Sequence, residues 1–146
     1  AGPPDMDEFP MKFPSAAEQM KDDLSIWTWF REVIRVRNAF PAIARGLTES
    51  VDSLSDSNVA AFIRRSRESG TANSASDGDL LIVMNLRADT AVKEISGEAS
   101  AAGGADGSAD NNLTLAAVLN TGEENITYDD GVLTLPGYSI AVFTMD

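Results

Sequence analysis

The chain has 146 residues, a net charge of −12 and a hydrophobic share of 43%. That is room for one compact domain with an ordinary core, and the acidic balance argues against nucleic acid and against an anionic membrane face. It holds no cysteine and no histidine, which excludes disulfide frameworks, thiolate nucleophiles, imidazole general bases and Cys-type zinc sites. No cofactor and no bound metal are expected. The compartment stays open, because a cysteine-free chain suits both the cytoplasm and bacterial secretion.

Residues 1–14 (AGPPDMDEFPMKFP) contain four of the six prolines and read as an extended loop. Without a leading methionine, this stretch is expected to lie inside a longer chain. Ser15-Ala16-Ala17-Glu18 has capping-box spacing, so a helical turn is expected over 15–21. A long helix then follows, capped by Asp22 or Asp23 and stopped near Phe40 by Pro41.

Stepping 100° per residue along that helix places Ile26, Trp27, Trp29, Phe30, Val33, Ile34, Val36 and Phe40 in one arc of roughly 180°. A helix lying on a single sheet needs a stripe nearer 100° wide, so this one has two surfaces to satisfy. Trp27, Phe30 and Ile34 form one edge of the arc, and Trp29, Val36 and Phe40 form the other. A sandwich can cover one edge only. Arg37 falls near the centre of the arc. It either snorkels to the rim or enters a buried ion pair.

Beyond Gly46 the pattern is that of short strands, with candidates at 47–51, 58–65, 79–86, 90–95, 113–120 and 138–144. Asp129-Asp130-Gly131 joins two further runs, 126–128 and 132–135, as a two-residue hairpin. Alternation is expected to set Val59, Ala61 and Ile63 against Ala60 and Phe62, and Ile140, Val142 and Thr144 against Ala141 and Phe143. Residues 67–79 and 96–112 are polar or low-complexity inserts. The fold class is therefore mainly β: an antiparallel Greek-key sandwich preceded by a loop and one long amphipathic helix.

Candidate sites are few. Asp5, Asp7 and Glu8 cluster in the first loop and read as a solvated acidic edge rather than an acid/nucleophile pair. Asp106, Asp110 and Asn111 lack the alternating register of a calcium loop. Trp27 and Trp29 offer faces for sugar rings but sit where core residues belong. Asn112-Leu-Thr and Asn125-Ile-Thr match the glycosylation tripeptide, a weak signal alone. No catalytic, cofactor-binding or metal-ligating residue is assigned, and any carbohydrate-binding set is left open.

Taken in order, several pieces resemble the C-terminal end of an α-amylase family glycoside hydrolase. GPPDMDE with SAAEQMKDDLSIWTWFREVIRVRNAFPAIARG is similar to the loop and helix that close a (β/α)8 barrel. NVAAFIRRS and DLLIVMNL resemble early strands of that family's C-terminal sandwich, and LNTGEEN with LTLPGYSIAVF its closing strands. The resemblance implies that 1–45 is the end of a catalytic barrel and 46–146 the C-terminal sandwich. It further implies that the carboxylates cleaving α-glucosidic bonds in starch, glycogen or maltooligosaccharides lie outside this chain, so the chain itself is inert. Its partner is then the barrel of its own parent chain, with α-glucan a further candidate; in the isolated chain the expectation is that the 23–40 helix pairs two copies or that residues 1–21 fold back to shield it. The alternative is a carbohydrate-binding sandwich holding α-glucan, which needs several exposed aromatics on one face. Phe62, Tyr128, Tyr138 and Phe143 are the candidates outside the helix, and three of them occupy inward strand positions.

Overall fold

The computed structural model describes residues 13–66, 78–95 and 113–145. Three helices come first: α1 (Ala16–Gln19), α2 (Ile26–Ala39) and α3 (Pro41–Arg45). Eight strands follow: β1 (Leu47–Ser50), β2 (Val59–Arg65), β3 (Asp79–Asn85), β4 (Ala91–Glu94), β5 (Leu113–Leu119), β6 (Thr127–Asp129), β7 (Val132–Leu135) and β8 (Ile140–Met145). They form an antiparallel five-stranded sheet, β1-β2-β3-β8-β5, and an antiparallel three-stranded sheet, β4-β7-β6.

The capping box of α1 is complete: Ser15 accepts from the Glu18 amide at 3.3 Å, and the Glu18 carboxylate accepts from the Ser15 amide at 2.8 Å. The cap of α2 differs from expectation. Ser25, not Asp22 or Asp23, accepts from the Thr28 amide at 3.2 Å. Asp22 turns its carboxylate to the Leu24 amide at 3.0 Å instead, closing the tight turn that precedes the helix. Pro41 ends α2 as expected but also begins α3 as its first residue, where its missing N–H costs nothing. Phe40 between them is extended, at φ −123° and ψ 92°, the conformation that a following proline demands.

Alternation along the strands separates two apolar layers. Val59, Ala61, Ile63, Leu81, Val83, Ala141 and Phe143 face the second sheet, where Leu133, Leu135 and Ile95 meet them. Leu80, Ile82 and Val142 face the other way, onto Ala42 of α3 with Val36, Phe40 and Ile43. β3 and β8 are thus buried on both faces, which is why Leu80–Val83 and Ala141–Phe143 read as unbroken apolar runs rather than alternating ones. The sequence-derived registers of β2 and β8 hold. Phe62, however, packs half-buried on the helix side, not in the inter-sheet core.

The β6–β7 hairpin turns at Asp130 and Gly131, whose φ values of 46° and 78° are the paired positive angles of a type I′ turn. It carries Tyr128 inward, edge-on to Phe143 with ring centroids 5.0 Å apart.

Candidate functional surface

The region that stands out is the side of α2 turned away from the sandwich. Val36 and Phe40 lie against the outer layer of the large sheet. On the opposite side, Ile26 is 76% exposed, Phe30 57% and Ile34 45%. These three recur every four residues and form one stripe along the helix. Monomers bury such stripes, because each large apolar side chain in water forgoes about 1.5–3 kcal/mol. Which edge of the arc stays bare follows from the sheet: its outer layer has room for one side of the cylinder.

The two tryptophans part company here. Trp27 lines a shallow cleft with Phe30, Arg31 and Ile34, and the Arg31 guanidinium sits 4.9 Å from its ring centroid. One face of the indole is therefore already occupied. Trp29 lies on the sandwich side, beside a mostly apolar cleft shared with Leu24, Ile26, Asn120 and Thr121. Its indole N–H is buried and has no acceptor among the described residues, an unmet donor of the kind that calls for a partner.

Arg37 corrects both sequence expectations. It neither snorkels from a core nor enters a buried pair. The guanidinium belongs to an exposed residue and has no ion pair among the described residues. The centre of the apolar arc is the part of the helix that the sandwich leaves in water, so burial never forced the issue. Glu32 is the nearest acid on the helix, and it is spent on Arg31 at 3.7 Å and Arg35 at 3.1 Å.

Elsewhere the charges are structural. Arg65 bridges Glu49 at 2.9 Å and Asp79 at 2.7 Å, tying β1, β2 and β3 together. The hydrogen bond that Arg65 donates to Asp79 raises the guanidinium's pKa, against the opposing effect of burial. Arg64 donates to the Ala42 carbonyl at 3.1 Å and so fastens α3 to β2. Lys93 of β4 meets Asp56 at 2.7 Å. That contact first, then the Asn58 and Val59 amides, lowers the Asp56 pKa to about 2.

The clusters at Asp5, Asp7 and Glu8 and at Asp106, Asp110 and Asn111 lie outside the described residues, as does Asn112. Asn125 is exposed in the β5–β6 loop. Among the described residues no group of three or more carboxylates is placed to hold a metal ion, and no helix is long and apolar enough to cross a membrane. Of the four aromatics of the sandwich, Phe62, Tyr128 and Phe143 turn inward, and Tyr138 is 56% exposed.

The chain is thus a two-sheet antiparallel sandwich carrying a helix with one bare face. No family model matches the chain, and no curated protein sequence does. Solved structures do. Amy13B of Eubacterium rectale is 28% identical over 99% of this chain, with a TM-score of 0.75, and the match spans 24% of that protein. An α-amylase from H. orenii (TM-score 0.62, 21% identity) is covered over 23% of its chain. The trehalulose synthase MutB from Pseudomonas mesoacidophila MX-45 (TM-score 0.58, 18% identity) is covered over 21%; these two likenesses speak to the fold. The chain spans about a quarter of the structures it matches. Its fold is that of a partial domain of α-amylase-family structures, consistent with their C-terminal one.

Proposed function

We propose that this chain is a non-catalytic module of an α-amylase-type glycoside hydrolase. Its work is to cover and stabilise a catalytic barrel that cleaves α-glucosidic bonds in starch, glycogen or maltooligosaccharides. Residues 1–45 belong to the end of that barrel and 46–146 form the sandwich. The observation that carries this reading is the division of α2. Val36 and Phe40 are satisfied by the sandwich, whereas Ile26, Phe30 and Ile34 are bare, and the matched structures are about four times longer than the chain.

Acrylamide quenching of Trp27 and Trp29 tests it, comparing the 146-residue chain with the longer protein proposed to contain it. Protection in the longer protein supports the module reading. Equal quenching in both removes it. The alternative, a sandwich that holds α-glucan, rests on Tyr138 as its exposed strand-side aromatic, and one ring supplies little of the stacking surface that a glucan needs.

A further inference from the structure

Arg37 makes a demand on whatever covers the helix. In projection it falls between Ile26 and Phe30, and it lies seven residues beyond Phe30 and three beyond Ile34, on the same stripe. Ile26, Phe30 and Ile34 call for an apolar cover. A guanidinium carried under that cover loses its water, and a desolvated cation without a partner costs several kcal/mol. Among the described residues nothing is offered to it: Glu32 is engaged by Arg31 and Arg35, and no ion pair reaches Arg37. An acceptor that comes with the cover meets the demand.

We infer that the surface docking on α2 is an apolar patch of the longer polypeptide bearing a carboxylate opposite Arg37, so that one buried ion pair sets the position of the helix in an otherwise greasy contact. This rests on the module reading above and adds the chemistry of the partner. A carboxylate matches the planar fork of a guanidinium with two parallel hydrogen bonds, which a lone carbonyl does not. A greasy stripe alone tolerates sliding by a turn; a single charge pair within it does not. The competing occupant is a second copy of this chain, which would bring another net charge of −12 to the contact and is disfavoured by that repulsion.

The test introduces Arg37→Glu and Arg37→Leu into both the longer protein and the 146-residue chain and follows thermal unfolding, with tryptophan quenching of the wild types alongside. In the longer protein, R37E is expected to lower the unfolding midpoint by about 6 °C or more, and R37L to lower it as well, since each leaves the opposing carboxylate unpaired. In the 146-residue chain both variants stay within about 1 °C of wild type, as exposed unpaired charges do. Tryptophans protected in the longer protein together with a harmless R37E or a stabilising R37L would overturn the ion pair and leave the module reading standing. Equal losses in both lengths would assign Arg37 a role inside this chain and overturn it too. Tryptophans equally quenched in both lengths would remove the cover itself, and the inference with it.

Discussion

The side-chain amide of Asn85, on β3 of the large sheet, donates to the Pro136 carbonyl at 3.0 Å, just past the end of β7 of the small one. The same nitrogen meets the carbonyls of Leu135 at 3.1 Å and Asp89 at 2.7 Å, and its oxygen accepts from the Arg87 amide at 3.0 Å. Asn85 is 2% exposed, so it ties together two sheets and a turn where water does not compete. Gly137 belongs to the same knot, for a Cβ there would collide with the Ala88 carbonyl.

Asn85→Ala is expected to cost about 2–4 kcal/mol, since it strands several buried carbonyls and opens a small cavity. Urea unfolding measures this. A loss below about 0.5 kcal/mol would mean that water enters the knot freely.

The two apolar layers carry different weight. Phe143, fully buried between the sheets and edge-on to Tyr128, should cost about 3–5 kcal/mol on truncation to alanine. Phe62, half-buried under the helices, should cost about half as much. Equal losses in denaturant titrations would mean that the helix side is packed as tightly as the inter-sheet core.

Asp56 predicts a pH dependence. Its carboxyl is held at about 2, below its ordinary 3.8, chiefly by the Lys93 hydrogen bond. A depressed carboxylate adds stability above its unfolded pKa, and that stability is lost as pH falls through the folded value. The contribution is therefore complete above about pH 5 and fades as pH falls from there toward 2. Lys93→Gln should flatten the acid limb of the wild-type stability curve while leaving its slope between pH 6 and 8 unchanged. Parallel wild-type and variant curves would assign the acid loss to other carboxylates.

The bare helix stripe should also make the isolated chain associate. With the proposed barrel absent, Ile26, Phe30 and Ile34 stay bare; the −12 charge on each copy opposes pairing, so only weak association through α2 is expected, at high protein concentration and most simply as a two-fold dimer. Phe30→Glu should abolish it in sedimentation. A wild type that stays monomeric at millimolar concentration counts against the stripe as a sticky surface.

Catalysis supplies the last prediction. The chain alone should not hydrolyse starch, maltotriose or an aryl α-glucoside, since the module reading places the acid and nucleophile elsewhere. Turnover that survives repurification and is lost on changing Asp5 or Asp7 would reverse that assignment.

Much of this was legible without coordinates. Period-2 runs bounded by polar turns set the strands, Asp130-Gly131 could hardly be other than a I′ hairpin, and an apolar arc twice the usual width announced two contact surfaces. These are local properties, decided by sterics and spacing within a few residues. The tertiary structure decided the rest. Ser25 displaced the aspartates as cap because Asp22 was needed in the preceding turn. Phe62 went under the helices because the opposite face of β2 already pointed at the small sheet. Arg37 was left in water because the sheet reaches only one edge of α2. The cap was settled by competing hydrogen bonds within residues 22–28, but the last two outcomes depend on which distant strand a side chain meets, and periodicity along the chain holds no information about that partner.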